Sequence, residues 1–117
     1  MISPAELNLE NEIYQEWDSE FKRWHDRVFS NTKPSIEVDS YSVLKEILKN
    51  SEHWTILQES NVCILRKSMP IQIYTLTDAP PSRTCYMLTN RFPDKKSIPL
   101  LRQFKELLLN ESSKFRL

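Results

Sequence analysis

The side chains able to bind a metal or act as nucleophiles are few and scattered along the 117 residues. His25 and His53 are the two histidines, Cys63 and Cys85 the two cysteines, and no pair has the spacing of a metal-binding motif. We place His25 on the polar side of a helix, and a cysteine nucleophile would need a histidine brought near by the fold. We therefore expect no metal, no cofactor and no catalytic residue, and interpret the chain as not an enzyme.

Acidic residues cluster at Glu10 and Glu12 and again from Glu16 to Glu20, as acid–base catalysis would require. Basic residues follow the second cluster at helical spacing, so we interpret these acids as part of a solvated, salt-bridged helix face. Trp17 and Trp24 could form a stacking platform for a ligand. Because they share one helix face with Phe21, a core stripe is the preferred interpretation, although Trp17 could line a cleft.

Glycine is absent from the chain. Phosphate-binding loops, dinucleotide fingerprints and nucleophile elbows all need glycine where the backbone approaches a ligand or takes a positive φ. The sequence therefore excludes these three motifs. It also leaves Asn50 and Asn110 as the residues that we expect to end helices in the left-handed conformation.

The overall composition is that of a soluble globular protein, with 39% hydrophobic and 27% charged residues. Sixteen basic residues balance sixteen acidic ones, so the chain lacks the positive field of non-specific nucleic-acid binders. No export signal and no membrane span are visible. We expect a cytoplasmic protein without membrane contact, in which both cysteines are buried and reduced.

The residues from Ile36 to Ser60 predict a strand, a helix and a second strand, with the two strands parallel. In such a unit ligands bind beyond the carboxyl ends of the strands, here near Asp39-Ser40 and near Gln58. Ser40 can act as a helix N-cap, which would be a purely structural role. Alternatively, the free N–H groups of the helix and the Ser40 hydroxyl could hold a small anionic ligand, although Asp39 would oppose an anion and suit a cationic or hydroxyl group instead.

The other periodic segments extend this pattern to an α/β layout in which helices cover a mixed, mainly parallel sheet. A strand is expected near 12–15, followed by a helix from Glu16. A short helix at 60–67 and strands at 54–57, 71–76 and 84–89 follow, the last apolar enough to be central. Ser97 caps a final helix whose core stripe consists of Leu100, Leu101, Phe104, Leu107 and Leu108.

Four stretches resemble the effector-binding domain of LysR-type transcriptional regulators: EIYQEWDSEFKRWHDRVF, SIEVDSYSVLKEILKNSEHWTILQES, IQIYTLTDAPPSRTCYMLTNR and IPLLRQFKELL. The resemblance implies the second of two Rossmann-like lobes, built as in periplasmic binding proteins, with a return to the first lobe. The sequence departs from the family pattern where NSEHW replaces a glycine-rich turn and Gln58 replaces a proline. The helix-turn-helix and most of the first lobe are absent from these residues.

The resemblance implies a bacterial-type regulatory fragment that senses a small-molecule effector and contacts DNA only through a separate helix-turn-helix domain. By position it assigns the effector site to Ser40 with its neighbours Asp39 and Tyr41, more weakly to Gln15, Glu16 and Trp17, and to Gln58 at the strand end. A homo-oligomer is expected. The alternative is a stand-alone interaction domain that dimerises through exposed apolar faces. We divide the chain into a flexible lead-in (1–11), a single α/β domain (12–110) and a frayed tail (111–117).

Overall fold

The computed structural model describes residues 1–30, 32–49 and 52–115. Within these residues it is a mixed α/β fold with four α-helices and one small parallel sheet. The strands are β1 (Ile13–Tyr14) and β2 (Ile36–Glu37). The helices are α1 (Ser19–Val28), α2 (Tyr41–Leu48), α3 (Glu59–Leu65) and α4 (Ile98–Ser112). Short 3₁₀ helices span Pro4–Glu6, Leu9–Asn11 and Ser113–Phe115.

The chain divides into two compact units, which we call the first unit (1–57 and 69–82) and the second unit (58–68 and 83–117). β1, β2, α1 and α2 belong to the first unit, and α3 and α4 belong to the second. The predicted division into lead-in, single domain and tail remains a prediction.

β1 is the centre of the first unit. It pairs in parallel with β2, with Ile13 opposite Ile36 and Tyr14 opposite Glu37. On the other side Trp54 forms an isolated parallel bridge with Glu12, the residue before β1, in which the Ile13 N–H donates to the Trp54 carbonyl over 2.9 Å. The sequence predicts parallel strands at 36–38 and 54–57, but the ladder joins β2 to β1, and only Trp54 of 54–57 forms a bridge. β1 rather than the 36–60 segment is therefore the element around which the sheet is built.

An aromatic cluster forms the core of the first unit. Phe21, Trp24 and Phe29 pack with Tyr14 of β1, and Trp17 and Trp54 cover the edge of the cluster. Trp17 and Phe21 have ring centroids 3.9 Å apart, and Trp24 and Phe29 meet edge to face at 6.0 Å. The predicted stripe of α1 therefore lies in the core. α1 itself begins at Ser19 rather than Glu16, since the Asp18 carboxylate caps it by accepting from the Phe21 N–H over 2.7 Å.

Several predicted strands are wrong. Only Trp54 of 54–57 and Leu76 of 71–76 form bridges, and residues 84–89 form no ladder. Residues 84–89 carry the right alternating pattern, but a strand also needs a neighbouring strand to satisfy its N–H and C=O groups. None of the described residues supplies one there.

The second unit differs from the prediction in what it buries. The α4 side chains predicted as core are exposed, except Leu101, which is half-buried, and the helix runs past Asn110 to Ser112 instead of ending there.

Cys63 is buried as expected, whereas Cys85 is exposed, and both are free thiols. Asn50 lies outside the described residues. No helix among them is long and apolar enough to cross a membrane.

Candidate ligand-binding site

The register of the sheet places Tyr14 and Glu37 on the same face, because directly paired residues project to the same side. α1 covers that face, since Tyr14 stacks on Phe21 with centroids 5.8 Å apart and meets His25 edge-on at 4.6 Å. Ile13 and Ile36 project to the opposite face. Two polar side chains of the sheet therefore lie beside the helix that carries Lys22 and Asp26.

The Tyr14 ring is buried, and its hydroxyl donates to the Glu16 carboxylate over 3.3 Å. Burial raises the pKa of this phenol well above its ordinary value, and the negative charges of Glu16, Asp26 and Glu37 raise it further. Tyr14 therefore stays protonated at neutral pH. The same three carboxylates create a negative potential around its hydroxyl.

His25 and Glu12 form a buried pair next to Tyr14. Both side chains are 2% exposed, and His25 Nε2 lies 2.7 Å from Glu12 Oε2. Glu12 Oε1 is buried without a hydrogen-bond partner among the described residues. The short contact gives each of these two buried side chains one hydrogen-bond partner.

A cavity of about 220 Å³ lies where α1, β1, β2 and the connection before β2 meet. Its lining combines aromatic, acidic and basic side chains: Tyr14, Glu16, Lys22, His25, Asp26, Thr32, Lys33, Pro34 and Glu37. All of these residues belong to the first unit. The volume corresponds to about seven water molecules, which sets the size of a ligand that would fit.

One ion pair is already present in the cavity wall. Lys22 Nζ lies 2.9 Å from Asp26 Oδ2, one helical turn away on α1. The hydrogen bond and the charge of Asp26 raise the pKa of Lys22, and Glu16 and Glu37 add to the effect. Glu37 has no ion pair of its own among the described residues, so its carboxylate is available to a ligand.

The residues predicted as an effector site are spread over several places. Glu16 lines the cavity, and Trp17 packs on Phe21 with its indole N–H buried and unpartnered among the described side chains. Asp39 is exposed just before α2. Tyr41 is the half-buried first residue of that helix.

Ser40 has the structural role that the sequence left as one alternative. Its hydroxyl accepts from the Val43 N–H over 3.2 Å and so caps α2. Gln58 precedes α3 in the second unit and accepts from the Asn61 amide over 3.2 Å. Neither residue lines the cavity, and the assignment of both to an effector site remains a prediction.

The interpretation of Glu12 and of the α1 histidine as solvated surface residues is wrong. Phe21, Trp24, His25 and Val28 follow the i, i+3, i+4, i+7 spacing of one helix face, so the histidine lies on the buried face. Glu12 directly precedes the central strand, where both faces of the sheet are covered. The spacing of His25 was the signal that could have revealed its burial, and Glu12 had no comparable signal.

The second unit has a larger recess of about 500 Å³ between residues 87–97 and α4. Most of the side chains that form it are exposed, Leu88 to 92%. It is a surface recess with few converging polar groups. Among the described residues, no three His, Cys, Asp or Glu side chains cluster closely enough to hold a metal ion.

No protein-family model, curated protein or solved structure matches the chain in the comparisons. The assignment of a function therefore depends on the geometry of the cavity and on the resemblance in the sequence.

Proposed function

We propose that the first unit is the ligand-binding part of a non-catalytic domain that senses a small molecule. The cavity between α1 and the sheet carries this proposal. It combines a buried histidine and tyrosine with charged and polar groups at its rim, so hydrogen bonds and charge rather than apolar contact would hold a ligand there.

We further propose that the domain is part of a LysR-type regulator, with a cytoplasmic location, a homo-oligomeric state and DNA contact through a separate helix-turn-helix domain. The parallel strands and the capped helix after β2 support this proposal, because both features are expected of a Rossmann-like lobe. The order of the four stretches named above supports it as well.

A ligand in the cavity would act on the fold by joining parts that the chain connects through a loop. Lys22, His25 and Asp26 come from α1, Lys33 from the connection and Glu37 from β2. Contacts to all three parts would favour the conformation in which they lie together. That differential affinity is what shifts a conformational equilibrium.

A thermal-shift screen of small polar metabolites, grouped by charge, tests the proposal. A ligand at a hundredfold excess over Kd should stabilise the fold by about 2.7 kcal/mol. We expect the shift of a hit to decrease in Glu37→Gln, which changes the cavity rim. Ser40→Ala serves as the comparison, because a hit that it abolishes would favour the helix start instead. A library without any hit would contradict the proposal.

A second candidate function is self-association through the second unit. Tyr86 and Leu88 are 82% and 92% exposed, and α4 exposes Leu100, Phe104 and Leu107. Large apolar side chains grouped in this way are typical of interaction surfaces. Sedimentation analysis over a wide concentration range tests the idea. Dimers that dissociate in Leu88→Gln would support it, and a monomer at the highest concentration would contradict it.

A further inference from the structure

We propose that the second unit binds the surface of a membrane that carries anionic lipids, through the exposed apolar stripe of α4 and the basic residues around it. This contact goes beyond the proposed sensing function and does not involve the cavity of the first unit. Two independent observations lead to it: the distribution of charge along the chain, and the side chains that α4 leaves uncovered.

The two units carry opposite net charges, although the whole chain is neutral. The second unit contains ten basic and four acidic residues, a net charge of +6, whereas the first contains six basic and twelve acidic residues, a net charge of −6. Charge asymmetry between two parts of a chain is typical of proteins that contact an anionic partner. The neutrality of the whole chain therefore conceals a strongly basic unit.

The basic residues that precede α4 and lie in its first half have no acidic partners. Among the described residues none of the following six forms an ion pair: Arg83, Arg91, Lys95, Lys96, Arg102 and Lys105. All six side chains are exposed. Each of them can therefore approach a lipid headgroup without first leaving an acidic side chain.

The second observation is the apolar stripe of α4. Leu100, Phe104 and Leu107 are 68%, 54% and 54% exposed and recur at the i, i+4, i+7 spacing of one helix face. Lys105 borders this stripe, three residues before Leu108. A helix with leucine and phenylalanine on one face and basic residues beside it is the form that lies in the interface of a bilayer. α4 has 15 residues, fewer than the roughly 20 of a membrane span, so the contact is with the surface.

The charge and the apolar stripe together favour lipid over two other partners. A symmetric dimer of second units would bring two net charges of +6 together, which like-charge repulsion opposes. Single-stranded nucleic acid would match the charge and stack on the exposed rings of Tyr86 and Phe92. However, it offers no apolar phase for the leucines of α4. Of the three partners, an anionic lipid surface alone uses both the charge and the leucines.

Co-sedimentation of the full chain with two kinds of vesicle tests the proposal. One kind is pure phosphatidylcholine, and the other contains phosphatidylcholine and phosphatidylserine in about equal parts. We expect the anionic vesicles to bind at least about tenfold more tightly, with an affinity that falls as salt is added. Lys95→Gln combined with Lys96→Gln should weaken this binding about tenfold or more, because two charges near the lipid headgroups are lost. Leu107→Gln should weaken it about fivefold, since its side chain no longer enters the apolar boundary.

Matched variants in the first unit make the same changes away from the proposed surface. Arg23→Gln combined with Lys45→Gln removes two positive charges from the same chain. Val43→Gln alters a side chain of α2 that is 47% exposed, close to the 54% of Leu107. Unchanged vesicle affinity in these controls, together with the losses in the second-unit variants, supports the proposal.

Four results would overturn the proposal. Two of them are equal affinity for the two kinds of vesicle and equal losses in the control variants. The third is tighter binding of a thymidine oligonucleotide that Leu107→Gln leaves unchanged, which would assign the basic residues to nucleic acid instead. The fourth is the absence of vesicle binding, and dimers that dissociate in Leu88→Gln would then assign the apolar stripe to self-association. None of these results bears on the cavity, which the metabolite screen tests separately.

Discussion

Phe21 in the first unit is 2% exposed and Phe104 in the second is 54% exposed, although both lie on the apolar stripe of an amphipathic helix. α1 packs against β1 and the aromatic cluster, and Asp18 caps its first turn. α4 has no side-chain cap at Ser97, and most of its leucines face solvent. The two units thus use the same sequence pattern and differ in whether the described residues supply a covering surface.

This difference shows that an apolar helix face and its burial are separate properties. The pattern identifies the face of a helix that gains free energy when it is covered. It does not identify the element that covers it. In the first unit β1 meets this need within about ten residues of α1, whereas the described part of the second unit offers α4 only limited contacts.

The largest predicted effect compares the two phenylalanines directly. Phe21→Ala should lower the free energy of unfolding by about 3–5 kcal/mol, because it leaves a cavity in the aromatic cluster. Phe104→Ala should cost less than about 1 kcal/mol, since the ring is half in solvent already. Urea denaturation followed by fluorescence is well suited to the first unit, because all three tryptophans lie in it. Circular dichroism follows α4.

A large loss in Phe104→Ala would show that α4 is covered in solution, for example by a second copy of the chain. Repeating the measurement at several protein concentrations distinguishes coverage by a second copy from coverage by another part of the same chain. A loss that grows with concentration indicates an interface, because oligomer stability depends on concentration.

The first unit could be predicted from the sequence more fully than the second. The strands near 13 and 36, the buried stripe of α1 and the start of α2 at the Ser40 cap follow from local patterns. The pairing of β1 with β2 and the Asp18 cap were not predicted. Strand 84–89 and the burial of α4 depend on distant partners that periodicity does not encode. Of the cavity lining the sequence assigned only Glu16 to a site, and the buried pair of His25 and Glu12 was missed because the two residues meet only through the tertiary fold.

The next effect tests the buried polar pair that distinguishes the first unit. Glu12→Leu should destabilise the fold by about 1–3 kcal/mol, because the His25 ring nitrogen loses its buried partner. Glu12→Leu combined with His25→Phe should cost less than the sum of the two single variants, since no buried polar group is left unpaired. Additive losses in urea denaturation would contradict a direct coupling between the two side chains.

Alkaline pH provides a third test. In the folded chain the pKa of Tyr14 lies above its ordinary value near 10, so the folded state keeps a proton that the unfolded state releases. The contribution of the neutral, buried phenol to the free energy of unfolding is fully present below pH 10. It is lost as pH rises towards the folded-state pKa. The free energy of unfolding should therefore fall by up to about 1.4 kcal/mol per pH unit above pH 10.

Tyr14→Phe removes this titration and serves as the reference for all other groups that ionise in the same range. We expect the stability difference between wild type and variant, measured by urea denaturation, to shift towards the variant as pH rises above 10. Parallel pH profiles of the two proteins would contradict the proposed environment of the phenol.

The smallest effect compares two serine caps. Ser40→Ala should cost about 1 kcal/mol, because it removes the hydroxyl that accepts from the Val43 N–H. Ser97→Ala should leave the helix content and the unfolding transition almost unchanged, since the Ser97 side chain makes no cap hydrogen bond. Ser40→Gly or Ser40→Asn should recover most of the loss, because both residues are favourable at an N-cap. A cost for Ser97→Ala equal to that for Ser40→Ala would mean that α4 is as firmly capped as α2, and the contrast between the two units would then be confined to their cores.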